Sequence, residues 1–334
     1  MVRLDGTMGS ALVDAMLDQP QKRARVLLVG QIYLDTILTV DHFPDEDSKL
    51  RASRMEQRRG GNCMNAAEVL SQSHSIDTWC MSAIGSKETT SSLVEQLAAK
   101  GINTSTCLHR DTVTPSSYIL HSLETGSRTI ISCTSINDIT ENEFAQALDD
   151  VSKVQSRQPI FDWVHFEGRN IVQVVKQIDW LETKATNEGW RDRLTISVEL
   201  EKPDREHIDQ LMPKGDVVFF SKLFAERRGY EDGIQFLNDM RSHCKPHARL
   251  FCAWGAQGAV GLDDNDTGHR VPAPKIDRII DPVGAGDTFI AGMIFALHQG
   301  REISSAMQVA CKLASCKVSQ AGFEGLIQAV QQIP

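Results

Sequence analysis

The chain has 334 residues and a formal net charge of −9, with 35 Lys and Arg against 44 Asp and Glu. Its length allows one or two domains with a sizeable core. Its acidic balance, with no basic cluster larger than Arg58-Arg59, argues against a nucleic-acid surface. No segment reaches the roughly 18 uninterrupted apolar residues of a membrane span, and the first residues lack the layout of a secretory signal. We therefore expect a cytoplasmic protein that binds small molecules, not nucleic acid or membranes.

The cysteines further limit the class of protein that the sequence can encode. There are eight, with no Cys-x-x-Cys pair, and most lie in apolar segments. This distribution favours reduced, structural thiols and argues against a zinc site.

Short apolar runs alternate with amphipathic segments along the chain, which is the pattern of a mainly parallel sheet flanked by helices. The predicted buried strands are Arg25 to Val29, Thr78 to Ala83, Trp163 to Phe166, Thr195 to Val198, Val217 to Phe220 and Leu250 to Ala253. The predicted helices are Cys63 to Gln72, Thr89 to Lys100, Glu141 to Asp150, Val172 to Thr186, Asp232 to Arg241, Phe289 to Gln299 and Ser304 to Ser319. We predict an α/β domain over residues 25–334, preceded by an N-terminal extension of residues 1–24.

Other regions have the alternation of exposed strands. Leu50 to Arg58 alternates polar and apolar residues, and Ser117 to His121 and Ser127 to Ser132 flank a glycine-containing turn. With Ile32 to Val40 they predict a small sheet of exposed antiparallel strands inserted into the larger domain. This discontinuous β-lid would span about residues 32–60 and 113–134.

A glycine-rich turn precedes an apolar helix in the stretch Asp-Pro-Val-Gly-Ala-Gly-Asp-Thr, which starts at Asp281. Gly284 and Gly286 lack Cβ atoms, so an anion can approach the backbone closely. The N–H groups of Ala285, Gly286 and Asp287 should be the unpaired donors of a helix start, which attracts anions. Asp287 beside them could accept a proton from a group that attacks a phosphate. Taken alone, Asp287 is also explained as a helix cap.

A second set of polar residues lies at Gly60-Gly61-Asn62 and Asn65. Asn62 and Asn65 are three residues apart, which places both amides on one face of a first helical turn. Paired amides suit a polyhydroxylated ligand, since they both donate and accept hydrogen bonds. The alternative is that Asn62 is an N-cap after a tight turn. Asp35 follows the first strand and is either a ligand-binding residue at the sheet edge or a turn residue.

Both motifs resemble signatures of the ribokinase-like (PfkB) carbohydrate kinases. Asp281 to Ile294 is similar to the C-terminal signature of that family, and Gly60-Gly61-Asn62 with Asn65 resembles the N-terminal one. The resemblance covers about Arg25 to Gln328. Further segments resemble the ketohexokinase branch, which phosphorylates fructose at its 1-hydroxyl. These are Val29-Gly30 with Leu34-Asp35, Phe43-Pro44 with Glu46-Asp47-Ser48, Gly126 to Ile130, Glu167 to Asn170, Val198 to Pro203 and Cys252 to Trp254.

The resemblance implies a ribokinase-like three-layer fold and transfer of the ATP γ-phosphoryl group to a ketose hydroxyl, above all the 1-hydroxyl of fructose. It makes Asp287 the catalytic base and the turn Gly284-Ala285-Gly286 the anion hole for the phosphoryl group. ATP and Mg²⁺ are the implied cofactors, and a monovalent cation such as K⁺ is a further candidate. A helix start stabilises ionised Asp287 and weakens it as a base. The loose transition state of phosphoryl transfer tolerates a weak base.

Sugar binding is implied for Asp35, Gly61, Asn62, Asn65 and Asn170. Arg128 on the lid would cover the phosphates; the alternative is a solvated arginine.

The nucleotide would be bordered by Trp254, Gly255, Gly258, the turn glycines Gly284 and Gly286, and the segment after Cys311. Strand and helix packing explains Trp254 and Cys311 equally well. Glu199 and Glu201 are candidates to hold Mg²⁺ through water, or are exposed ion-pair residues.

A lid of few strands leaves one face and its edges uncovered, which favours a partner. A homodimer through the β-lid is therefore expected, as the family resemblance also implies. In that dimer Asp47 would reach the sugar site of the neighbouring subunit.

Several positions depart from the family pattern. Ser221-Lys222-Leu223-Phe224 replaces the Asn-x-x-Glu motif of the wider family, and Ala256 and Ile290 replace an acidic residue and an Asn. The loop Ser319-Gln320-Ala321-Gly322 lacks a first glycine. Two alternatives to a ketose kinase therefore stay open: a kinase for a nucleoside or other small alcohol, and a non-catalytic sugar-binding relative.

Overall fold

The computed structural model describes residues 23–133, 135–155 and 158–330. Residues 1–22 of the proposed N-terminal extension lie outside the described residues, and Ala24 already belongs to the first strand. Within the described ranges, no helix has the length and apolar character needed to cross a membrane.

Strands form a large sheet, a small sheet and one isolated pair. Their bounds are β1 Ala24–Val29, β2 Tyr33–Val40, β3 Arg54–Gly60, β4 Ile76–Met81, β5 Ala83–Ile84, β6 Ile102–Asn103, β7 Leu108–His109, β8 Ser116–Ser122, β9 Arg128–Cys133, β10 Trp163–Glu167, β11 Thr195–Leu200, β12 Val217–Ser221, β13 Arg249–Ala253, β14 Ala259–Leu262 and β15 Gly268–Val271. The large sheet has the order β15-β14-β13-β12-β11-β10-β1-β4-β6. It is parallel from β13 to β6, while β14 and β15 pair antiparallel at one edge. The predicted buried strands are confirmed. The two antiparallel strands at the edge, β14 and β15, were not predicted.

Helices cover both faces of the large sheet. They are α1 Asn62–Leu70, α2 Lys87–Ala99, α3 Glu141–Val154, α4 Ile171–Asn187, α5 Lys222–Glu226, α6 Gly233–Met240, α7 Ala285–His298 and α8 Ile303–Val318. On one face, α3, α4, α5 and α6 pack through residues such as Phe144, Ile178 and Phe236. On the other, α1, α2, α7 and α8 pack through residues such as Ala67 and Met293. The predicted three-layer α/β fold is confirmed; the short helix α5 was not predicted.

The small sheet has the order β3-β2-β8-β9. Its outer pairs are antiparallel, but β2 and β8 run parallel, so the prediction of a purely antiparallel sheet is wrong. The reason is the connection: α1, β4 and α2 lie between these strands, and a long crossover allows parallel pairing. The first lid strand after β2 also begins at Arg54, later than the predicted Leu50.

Candidate active site

A cavity of about 500 Å³ lies between the small sheet, the carboxyl ends of the parallel strands and the first turn of α7. Ligands of open α/β sheets bind at this edge. The cavity brings together the site residues predicted from the two motifs and four others predicted for the site. The motif residues are Gly61, Asn62, Asn65, Gly284, Ala285, Gly286 and Asp287, and the others are Asp35, Glu199, Glu201 and Gly255.

Helix α7 begins in the cavity without a side-chain cap. Its N-cap residue is Gly284, with φ 81°, a left-handed conformation that glycine adopts without strain. A Cβ at Gly284 would also lie 2.6 Å from Phe323 Cζ. In the described part of the chain, the N–H groups of Gly286 and Asp287 have no acceptor, as predicted. The third predicted donor, Ala285 N–H, instead points to the carbonyl of Pro282 at 3.3 Å.

Asp287 lies in the first turn of α7 and does not cap it. It is only 8 % exposed, and its Oδ2 accepts a 2.7 Å hydrogen bond from Asn65 Nδ2. Burial raises the pKa of Asp287 to about 7, although the hydrogen bond from Asn65 opposes this, and the charge of Glu201 raises it further. This direction is opposite to the one expected from the helix start alone, because burial is the largest cause of the shift.

Helix α1 places the two amides of the other motif. Gly61 is its N-cap, with φ 104°, and a side chain there would clash with the carbonyl oxygen of Gln31. Asn62 makes no capping bond, so its interpretation as an N-cap is wrong. Its Nδ2 instead donates to Glu201 Oε2 at 2.9 Å and to the Glu199 carboxylate at 3.2 Å. Both predicted amides therefore engage carboxylates of the cavity.

The carboxylates around Asn62 form a buried group at the ends of two neighbouring strands. Glu199, the penultimate residue of β11, pairs with Glu167 at the end of β10, and both are largely buried. Burial raises the pKa of Glu199 well above its usual range, and the charges of Asp287, Glu201 and Glu167 add to it. Glu167 Oε2 accepts from Gln31 N–H at 3.1 Å, and burial raises its pKa too. Glu167 was not predicted, although its place at the end of an apolar strand is the same signal as that of Glu199.

Asp35 enters the cavity from the small sheet, where it pairs with Arg58 on β3 and Ser117 on β8. Burial raises the pKa of Asp35, while a hydrogen bond with Ser117 and the charge of Arg58 oppose the shift. The side chain is thus held at the cavity by the lid.

A fully buried lysine lies beneath the glycine turn. Lys317 Nζ is 3.0 Å from both the carbonyl oxygen and Oδ2 of Asp281. Burial raises the pKa of Asp281, but the hydrogen bond and charge of Lys317 outweigh it and leave this pKa below its usual value. Sequence reasoning missed this pair. The available signal was a lysine in register with the apolar positions Ala310 and Leu313 of α8.

The predicted nucleotide residues divide into two groups. Gly255 lines the cavity, whereas Trp254 is buried beside it, with Lys222 Nζ 5.9 Å from its ring centroid. Gly258 turns the chain after Trp254 with φ 98°, and Cys311 is a core residue of α8. The structure does not bring Trp254, Gly258 or Cys311 into the cavity.

Three further predicted residues lie away from the main cavity. Arg128 is exposed on β9 and lines an adjoining cavity of about 390 Å³ under the small sheet. Asn170 precedes α4 with φ 40° and lines a separate small cavity beside Glu167. Asp47 lies on an exposed loop with φ 59°.

The side chains fit a magnesium ion that is held through water. Among residues 23–133, 135–155 and 158–330, no three or more His, Cys, Asp or Glu side chains form a cage for a metal ion. Mg²⁺ commonly keeps several waters and takes only one or two carboxylates together with substrate phosphates. Glu199 and Glu201, both at the cavity, supply such carboxylates.

The family model for the pfkB family carbohydrate kinases matches residues 23–328, which is nearly the whole chain. The chain belongs to this family. It is therefore a phosphotransferase that acts on a sugar or a nucleoside, and kinases of the PfkB family use ATP, typically with Mg²⁺.

Individual PfkB relatives agree with this assignment. Mouse ketohexokinase is 33 % identical over 308 residues, which cover 91 % of this chain and 99 % of the mouse protein. A nucleoside kinase of Methanocaldococcus jannaschii is 20 % identical over 310 residues, 91 % of this chain and 93 % of its own. The structure of Arabidopsis thaliana ribokinase complexed with ribose and ATP superposes with a TM-score of 0.75 at 13 % identity, covering 92 % of this chain and 99 % of that one. That likeness concerns the fold alone, a ribokinase-like sheet with a lid.

Proposed function

We propose that this protein is an ATP-dependent ketose kinase that phosphorylates the 1-hydroxyl of fructose. The observation that carries the proposal is the meeting of Asn65 and Asp287, 2.7 Å apart, at the uncapped start of α7. A carboxylate, an amide and free backbone donors at one point suit a hydroxyl beside a phosphoryl group. The choice of a ketose rests on the identity with mouse ketohexokinase, which extends over 99 % of that protein.

The sugar lies, in this proposal, between the small sheet and α1. Asp35, Asn62 and Asn65 line this half of the cavity and together offer hydrogen-bond donors and acceptors for its hydroxyls. Gly61 lets the chain turn into α1 without a side chain in the way. Asn170 and, from a neighbouring subunit, Asp47 are proposed to complete the sugar site when the lid closes.

Asp287 takes the proton of the sugar hydroxyl as that oxygen attacks the γ-phosphorus, and the bond from phosphorus to the β-phosphate oxygen breaks to release ADP. The N–H groups of Gly286 and Asp287 donate to the transferred phosphoryl group and stabilise its charge. The N–H of Ala285 joins them when it gives up its 3.3 Å contact with the Pro282 carbonyl and donates to the phosphoryl group instead. A base whose pKa is raised to about 7 by burial suits proton transfer at neutral pH.

The remaining predicted residues serve the nucleotide. Gly255 lies where the nucleotide enters the cavity, with Trp254, Gly258 and Cys311 as supports behind it. Arg128 closes over the phosphates with the lid. Glu199 and Glu201 would hold Mg²⁺ through water, and the ion would supply positive charge against the phosphates. K⁺ is a further candidate cofactor.

We also propose a homodimer through the lid. Strand register places Leu34, Tyr118, Met55 and Ile131 on the face of the small sheet opposite Asp35, and all four are exposed. An apolar sheet face that turns away from the cavity supports a protein partner.

A substrate panel with ATP consumption as the readout tests the acceptor. Fructose, other ketoses, ribose and adenosine are compared at equal concentration with Mg²⁺ and ATP. The proposal expects the highest kcat/KM for fructose. Turnover of adenosine without turnover of fructose would make the protein a nucleoside kinase and refute the ketose assignment.

A further inference from the structure

Lys317 is charged, yet its side chain is completely buried, and its hydrogen bonds go neither to the proposed base nor to the residues of the proposed sugar site. Burying an ammonium group is costly unless it is well paired. Its two partners at 3.0 Å are both on Asp281, the residue that opens the glycine turn.

The lysine also reaches the other end of that turn. Its Nζ lies 5.0 Å from the ring centroid of Phe323, within the range of a cation–π contact. The same ring packs against Gly284, the left-handed N-cap of α7. The ammonium group of Lys317 thus contacts Asp281 directly and is linked to Gly284 through the ring of Phe323.

Backbone hydrogen bonds also join the end of α8 to the glycine turn. The N–H groups of Ile280 and Asp281 both donate to the carbonyl of Val318, at 2.8 and 3.1 Å, and Asp281 Oδ1 accepts from Val283 N–H at 3.1 Å. The end of α8 therefore supports the turn. Lys317 places a buried positive charge against Asp281, and Arg58 of β3 adds a second, partly exposed one 3.5 Å from Asp281 Oδ2.

We propose that Lys317 is a positioning residue that holds the anion-hole turn and serves there as a built-in monovalent cation. The carbonyl and carboxylate oxygens of Asp281 are the ligand types that K⁺ would take, and the ammonium already occupies them. K⁺ is therefore not expected at Asp281 in the native chain. This inference rests on the proposed kinase function, since the turn matters through the phosphoryl group that it binds.

Lys317→Met, which keeps the length of the side chain without its charge, tests the positioning role. Displacing anion-hole donors reduces kcat about 100-fold. We expect a loss of that order, with KM for the sugar unchanged within about twofold because Asp35 and Asn62 are untouched. Lys176→Met, which removes an exposed lysine charge on α4, is the control and should keep wild-type kcat. Wild-type kcat in Lys317→Met, or equal losses in kcat and in the folded fraction by circular dichroism, would overturn the proposal.

Lys317→Ala tests the cation itself, because it leaves room for a small ion. At equal ionic strength, NH₄⁺ or K⁺ should raise kcat and the melting temperature of this variant well above their values in tetramethylammonium, and far more than in the wild type. Equal effects of the three cations on Lys317→Ala would refute the idea. The melting temperature needs no turnover, so it remains decisive even if the substrate panel overturns the proposed function.

Discussion

Asn65 donates a 2.7 Å hydrogen bond to Asp287 across 222 residues of sequence. The bond joins the starts of α1 and α7, the two helices whose first turns carry the motifs recognised in the sequence. It fixes the carboxylate that we propose as the base next to the amide that we propose to hold the sugar.

Asp287→Asn should reduce kcat about 10³-fold, because the amide cannot accept the proton of the sugar hydroxyl. The Oδ1 of Asn can still accept the bond from Asn65, so the dissociation constant of the sugar, measured by calorimetry, should change little. Asp277→Asn, on the exposed segment before the turn, is the control and should behave as wild type. An Asp287→Asn variant with wild-type turnover would exclude Asp287 as the base.

The pH profile of the reaction should depend on Glu201. Burial and the charge of Glu201 raise the pKa of Asp287 to about 7, so kcat/KM should fall as the pH drops below that value. Glu201→Gln removes a negative charge while it keeps an acceptor for Asn62, and the acid limb should move to lower pH.

Saturating Mg²⁺ separates this effect from any loss of metal affinity in Glu201→Gln. The matched control is Glu206→Gln, because the side chain of Glu206 is exposed and does not line the cavity. An acid limb at the same pH in wild type and Glu201→Gln would show that Glu201 does not act on Asp287.

The carboxylate of Asp287 should also lower the stability of the fold at neutral and higher pH. Because the pKa of Asp287 is raised on folding, the folded state retains a proton that the unfolded chain releases between pH 4 and 7, and the free energy of unfolding falls as the pH rises through that window. Three pKa units correspond to about 4 kcal/mol at most. Asp287→Asn should therefore melt higher than wild type at pH 8 and equally at pH 4. A lower melting temperature at pH 8 would contradict this.

The sequence predicted the sheet, most of the helices and the two motifs because those depend on local periodicity and glycine-rich turns. It failed where distant segments decide the outcome. Asn62 looked like an N-cap, but its amide meets Glu199 and Glu201, which are more than 130 residues away. The contact of Lys317 with Asp281 likewise depends on how α8 returns to the turn.

The pKa of Asp287 illustrates the same limit. A helix start is visible in sequence and favours the ionised form. The depth of burial, and the nearness of Glu167 at the end of β10 and of Glu201 just after β11, depend on segments that are distant in the sequence, and these reverse the direction of the shift.

The lid offers a test of assembly. Tyr118 and Ile131 are paired neighbours on the apolar face of the small sheet, 47 % and 56 % exposed. Tyr118→Asp would bury a charge in a lid-to-lid interface, so light scattering should give a dimer for wild type and a monomer for the variant. Val172→Asp, a similarly exposed apolar position on α4, is the control and should stay dimeric. If Asp47 completes the sugar site of a neighbouring subunit, the monomeric variant should also have a higher KM for the sugar, whereas a fully active wild-type monomer would exclude both the dimer and that role.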